Sequence, residues 1–336
     1  MPDYRIGDES VAGYATKTLM SLRHGVEATF VPGVGMLGCS LRHRGEELLG
    51  QRGGLAKYAA SGSTMGIPLL HPWANRLSGL RYTVGTRNVA LDAASPRLHR
   101  DANGLPMHGL LGAHPGWHVV SSEADAACAR LSARFDFAED PALLAAFPFP
   151  HTLQIDTELH EATLTITTTL RASGDVAVPV AFGYHPYLQL PGVPRATWHV
   201  ELPVRRQWLL DARGIPTGAT QRVVIPPGRL GDRTFDTLFD DLAPRARFVL
   251  AGGTRRIAVE FKEGYDYAQV YAPAGDAVIC FEPMTAPTNA LVVGGQSLVV
   301  VKTMFALHLH ILLHVPVTIS FSTDHHHNLS DHHCFQ

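Results

Sequence analysis

The chain has 336 residues, 17% of them charged and 46% hydrophobic, with a formal net charge of −2. That balance excludes a disordered chain and provides no field for nucleic acid or an acidic membrane. The four cysteines, Cys39, Cys128, Cys280 and Cys334, stand far apart with no C-x-x-C pair, and Met1–Leu22 has no apolar signal-peptide core, so a cytoplasmic protein is expected.

Along the chain, 31 Gly and 23 Pro break the sequence into short segments, and few of these carry a helical period. One helical turn is predicted at Pro141–Ala146. Next, Leu153, Ile155, Thr157 and Leu159 alternate with Gln154, Asp156, Glu158 and His160. Leu164, Ile166, Thr168 and Leu170 then alternate with Thr165, Thr167 and Thr169. Period-2 windows between Gly/Pro turns predict an all-β antiparallel sandwich. Further on, the apolar run Ala277–Phe281 leads into Glu282. Pro283 and Pro287 predict that the strand ends there, with the carboxylate at the mouth of a turn.

From Phe305 to Phe321 every odd position is apolar, which predicts a half-buried strand with a break near Pro316. A membrane helix is the competing reading, but it would scatter His308, His310, His314 and Pro316 around its surface. No linker divides the chain, so one domain is expected over 1–322. A His-rich tail, 323–336, is expected to lack order and to form no metal site, despite His325–His327 and His332–His333.

Four segments carry chemistry: Gly66-Ile67-Pro68-Leu69-Leu70-His71-Pro72-Trp73-Ala74-Asn75-Arg76, Met107-His108-Gly109-Leu110, Phe182-Gly183-Tyr184-His185-Pro186-Tyr187 and Cys280-Phe281-Glu282-Pro283-Met284-Thr285-Ala286-Pro287. Read singly, each has a bland alternative: a solvated strand-end Glu282, a buried core His185, a loop His108, a surface Arg76. Taken together and in this order, they resemble the aldose 1-epimerases (mutarotases), and the likeness runs from about Val26 to about Gln296. It implies the large two-sheet supersandwich of that family and a free monosaccharide as partner. It also implies no metal or nucleotide cofactor, and it leaves the oligomeric state open. Past Val300 the chain departs from the family pattern, with no Pro-Gly turn before its last strand.

The implied reaction opens a sugar hemiacetal and recloses it on the other face. One group removes the O1 proton while another protonates the ring oxygen, so two acid–base side chains suffice. A carboxylate and an imidazole suit neutral pH. Glu282 is therefore expected to be the base and His185 the acid. Pro186 favours an extended backbone at His185, with Tyr184 and Tyr187 as aromatic walls. The resemblance further implies that His108 binds a sugar hydroxyl and helps polarise the ring oxygen, with Gly109 leaving room for close approach to a ligand. Arg76, beside Asn75, offers a fork of donors to sugar hydroxyls. Asp236 matches a family aspartate that clamps hydroxyls, although Asp232, Asp240 and Asp241 lie nearby. His71 and Trp73 are further candidates for the pocket wall. A sugar-binding module, an epimerase of phosphorylated hexoses and a histidine–metal enzyme are the rival readings. The last lacks a ligand pair near the motifs, since His308-x-His310 lies on the departing strand.

Overall fold

The structure, a computed structural model, describes residues 3–295 and 298–314. Two large antiparallel sheets face each other. The first has nine strands in the order Gly228–Arg229, His199–Glu201, Arg247–Gly252, Arg255–Glu263, Met304–His314, Thr163–Ala172, His151–His160, Ala129–Asp136 and His118–Ala124. The second runs Pro216–Arg222, Arg206–Leu210, Phe235–Asp240, Tyr267–Ala272, Ile279–Met284, Gly183–Tyr184 and Leu69–Leu70, and Tyr187–Leu188 also pairs with Ile279–Met284. This is the all-β, antiparallel two-sheet sandwich expected from the sequence.

The alternating windows form the predicted strands. Leu153, Ile155 and Leu159 stand opposite Leu170, Thr168 and Leu164, all buried on the inner face. Contacts from sheet to sheet close the core. The rings of Phe248 and Phe281 lie 5.4 Å apart, and the Thr168 and Tyr184 hydroxyls meet at 2.6 Å. Burial of such apolar faces is the main driving force for folding.

Three features go beyond the sequence reading. A five-stranded sheet, from Tyr4–Val11 to Glu46–Glu47, packs at the end of the nine-stranded sheet. A helix, Gly54–Ser61, buries Leu55 and Tyr58 against Val31, Leu37 and Met65. The odd-position apolar row places Leu307, Leu309 and Ile311 at 0% exposure on Met304–His314, a central strand of the sheet. Pro316 and the tail 323–336 lie outside the described residues. The helical turn at Pro141–Ala146 is present, with Asp140 Oδ1 accepting from the Ala142 and Leu143 amides at its N-terminus. Among the described residues no helix is long and apolar enough to cross a membrane.

Candidate active site

The outer face of the eight-stranded sheet carries the site. Because Phe281 points to the core, its neighbours Cys280, Glu282 and Met284 point the other way. Register then brings partners alongside. Gln269 stands opposite Glu282, Tyr271 opposite Cys280, and Asp236 opposite Tyr271. Tyr184 turns inward to Thr168, so the next residue, His185, faces the cavity. Two loops close the side. His108 N–H donates to the Asn75 carbonyl at 2.8 Å, Leu77 N–H donates to Pro106, and Arg76 bridges Met107. Both Asn75 and His108 adopt positive φ, 55° and 63°, which turns their side chains into the same space.

The resulting cavity is about 220 Å³. Asn75, Arg76, His108, His185, Asp236 and Glu282 all line it, together with Arg52, Thr64, Met107, Tyr187, Gln269 and Tyr271. Of the four neighbouring aspartates, only Asp236 lines it. Asp240 instead pairs with Arg206 at 2.6 Å.

Glu282 sits at the centre. It is 1% exposed, and its Oε1 lies 3.1 Å from His185 Nε2. Burial pushes the Glu282 carboxyl well above its usual pKa. The Asp236 charge adds to this, and Arg76 opposes it. Burial likewise pushes His185 well below its usual value, helped by His108 and Arg52. Both groups are thus driven toward neutrality, a state in which one proton lies between the two facing atoms. His108 is pushed down to about 3, by burial first and then by Arg76 and His99, so it is a neutral imidazole at pH 7. Its ring lies 5.4 Å from that of His185, at 85°.

Opposite this pair is a polar clamp. Arg76 Nε donates to Asp101 Oδ2 at 2.8 Å, Arg76 Nη1 donates to Asn75 Oδ1 at 3.1 Å, and Arg76 Nη2 lies 3.7 Å from Asp236 Oδ2. Gln269 Nε2 donates to Asp236 Oδ1 at 2.5 Å. Four buried atoms around the cavity have no hydrogen-bond partner: His108 Nδ1, His185 Nδ1, Gln269 Oε1 and Glu282 Oε2. Unpaired buried polar atoms are rare, and a cluster in one cavity marks a place built for a polar ligand. Among the described residues no group of His, Cys, Asp or Glu is arranged to hold a metal.

Several expectations are corrected here. Glu282 does not lie at a strand end, because the strand runs from Ile279 to Met284. Tyr184 does not line this cavity, and its hydroxyl serves the core. His71 and Trp73, 0% and 1% exposed, are also core residues. His71 Nε2 meets His151 Nε2 at 2.8 Å in a box of Phe137, Phe147 and Phe182. Gly109 makes room for backbone and not for a ligand, since a Cβ there would stand 2.2 Å from the His71 carbonyl oxygen. Sequence reasoning missed Arg52, Thr64, Gln269 and Tyr271 in the wall, and Asp101 behind Arg76. Asp101-Ala102-Asn103-Gly104 is a turn signature that could have flagged Asp101, whose Oδ1 accepts from the Asn103 and Leu105 amides.

The fold is shared with solved structures of low sequence identity. A galactose mutarotase-like protein from Clostridium acetobutylicum superposes with a TM-score of 0.82 at 18% identity, covering 94% of this chain and 99% of its own. Galactose 1-epimerase from Lactobacillus acidophilus NCFM gives 0.74 at 15% identity, covering 94% and 99%. A protein from Synechocystis sp. PCC 6803 gives 0.71 at 22% identity, covering 94% and 97%. No curated protein matches the chain in sequence. The sequence model of the aldose 1-epimerase family matches residues 24–299, most of the chain, and the protein belongs to that family.

Proposed function

We propose that the protein interconverts the α and β anomers of a free hexose. The observation that carries this reading is the buried Glu282–His185 pair, 3.1 Å apart in a cavity otherwise lined mostly by hydroxyl-binding groups. Transfer of the shared proton from Glu282 to His185 gives a carboxylate base and an imidazolium acid. Arg76 favours this form by stabilising the carboxylate.

Glu282 then takes the O1 proton. The C1–O5 bond breaks with its electron pair going to O5, and His185 delivers a proton there. C1 and O1 become a carbonyl, the open aldehyde turns about C1–C2, and O5 attacks the other face. His185 recovers its proton from O5, and Glu282 returns one to O1. Atoms and charge balance, with no redox step. In this scheme His108 hydrogen-bonds the substrate beside the ring oxygen. Arg76, Asn75 and Asp236 hold the remaining hydroxyls, with Gln269 beside them.

Each cavity arginine already faces carboxylate, Arg76 with Asp101 and Asp236, and Arg52 with Asp276 at 3.4 Å. Matched charge of this kind favours an uncharged sugar over a phosphorylated one. A purely binding module would have no use for a buried pair sharing one proton. The cytoplasm is the proposed location, on the sparse cysteines, of which Cys39, Cys128 and Cys280 are buried and free.

Polarimetry of freshly dissolved α-D-glucose and α-D-galactose tests the reading. Accelerated mutarotation of either sugar that is lost in Glu282→Gln is expected. An unaltered rate with both sugars overturns it.

A further inference from the structure

His185 is held by more than Glu282. Its imidazole stacks on the Tyr187 ring with centroids 4.3 Å apart and planes 12° from parallel. The two residues are two apart along an extended segment, so their side chains leave the same face. The Tyr187 hydroxyl lies 3.4 Å from His185 Nε2, the same nitrogen that meets Glu282. That hydroxyl is itself clamped. Thr64 Oγ1 sits 2.6 Å away, and Arg52 Nη1 donates to it at 3.0 Å. The Arg52 guanidinium also covers the Tyr187 ring at 5.0 Å from its centroid. The sequence separations are large, so Arg52 and Thr64, on either side of the helix Gly54–Ser61, are brought to Tyr187 by the fold.

Arg52 can only donate, so it occupies one lone pair of the Tyr187 oxygen. The phenol proton is left to Thr64 or to His185 Nε2. In the proposed reaction Glu282 must turn from His185 to the O1 hydroxyl of the sugar. At that moment Nε2 loses its partner, and the nearest fixed replacement is the Tyr187 hydroxyl. We propose that Tyr187, clamped by Thr64 and Arg52, is the positioning residue of His185. It fixes the imidazole plane by stacking, and it offers Nε2 a stationary hydroxyl while Glu282 changes partners. This rests on the acid role proposed for His185. The Arg52 charge acts in the same place, adding to the burial and to His108 in pushing the His185 pKa down.

Three variants separate the parts. Tyr187→Phe keeps the stacked ring and removes the hydroxyl, Thr64→Val removes one side of the clamp, and Arg52→Met removes the charge. Two readouts are used on the full chain. One is polarimetric kinetics across pH. The other is NMR of the His185 ring nitrogens in histidine-labelled protein without sugar. For Tyr187→Phe we expect shifted His185 nitrogen signals and a kcat about tenfold lower at unchanged KM, the scale of one hydrogen bond in a dry site. Thr64→Val should move both in the same direction by less. Arg52→Met should raise the pH midpoint of the His185 signals.

Ring-nitrogen signals in Tyr187→Phe and Thr64→Val that match the parent overturn the proposal. So does a parent-like kcat in an active Tyr187→Phe. If the parent turns over no sugar, the anomer-interconversion reading fails, and the NMR comparison alone decides whether Tyr187 holds His185.

Discussion

Glu282 and His185 differ in what their loss should do. Glu282→Gln keeps the shape of the side chain and removes the base, so turnover should fall by on the order of 100- to 10,000-fold with the fold retained. His185→Asn should cost at least about 100-fold through loss of the acid. His108→Asn should weaken sugar binding as well as rate. Polarimetry with circular dichroism on each variant checks all three, and near-parent turnover in Glu282→Gln would rule out the assigned base. The pH profile follows from the same pair. Ordinary values near 4.5 and 6.5 would confine the one-proton pair to that interval. With Glu282 raised and His185 lowered, the one-proton state instead extends beyond it on both sides. The kcat profile should therefore be flat across neutral pH, with the midpoint of its alkaline fall well above 6.5. A bell confined between limbs centred near 4.5 and 6.5 would show that the pair titrates as two ordinary groups. Glu282, His185, His108 and Asp236 were legible because each lies beside a local signal, a proline, a glycine or an adjacent aromatic, whereas Asn75 and Arg76 were legible only as part of the ordered family motif. Gln269 and Tyr271 were not. They sit on a strand whose neighbours in space are set by register, and a pattern of alternation does not say which strand pairs with which.

At the scale of elements, alternation was a good guide to strands, and proline was a misleading guide to where one ends. Pro283 lies inside Ile279–Met284. Its carbonyl points toward Gly183, where a Cβ would stand 2.4 Å from it, so its nitrogen faces that side too. The neighbour there, Gly183–Tyr184, is only two residues long, so little ladder is lost. The loop that carries Asn75 and Arg76 begins at His71, and His71 is pinned to the opposite sheet by His151. The Phe149 carbonyl takes the Nδ1 proton of His151 at 2.6 Å, so His151 Nε2 is bare and accepts from His71 Nε2–H. In this arrangement both rings are neutral. Burial pushes His151 down to about 4 and pushes His71 well down too, with His151 adding to the latter. Unfolded, each binds a proton below 6.5; folded, neither does until much lower pH. Their stabilisation is therefore complete above 6.5 and is lost as pH falls toward about 4, at roughly 1.4 kcal/mol per pH unit for each ring. Urea unfolding across that interval should show a shallower acid slope in the double variant His71→Phe, His151→Phe than in the parent. Parallel slopes would mean that the two rings are not neutral in the fold.

The whole molecule depends on a strand beyond the family match. That match ends at residue 299, whereas Met304–His314 sits between Arg255–Glu263 and Thr163–Ala172, with four strands of the nine on either side. Its buried residues Leu307, Leu309 and Ile311 meet the apolar interior, and its two ladders tie the halves of the sheet together. The proposal of one domain over 1–322 therefore makes a direct prediction about this strand. A chain ending at Val301 should split the nine-stranded sheet, expose two inner edges and much of the core, and aggregate or unfold without cooperativity. A milder cut, Leu309→Ala in the full chain, should keep one cooperative transition and cost about 2–5 kcal/mol, the range for a buried leucine leaving a cavity. Thermal unfolding followed by circular dichroism distinguishes the outcomes. If the shortened chain melted as cooperatively and at the same temperature as the full one, the two halves would be holding together without the strand. The cavity on the other sheet would then owe nothing to residues past 301. If it loses its transition while Leu309→Ala keeps one, the site face and the departing strand belong to a single folding unit, and a variant in this strand would lower activity through stability and leave KM unchanged in the fraction that stays folded.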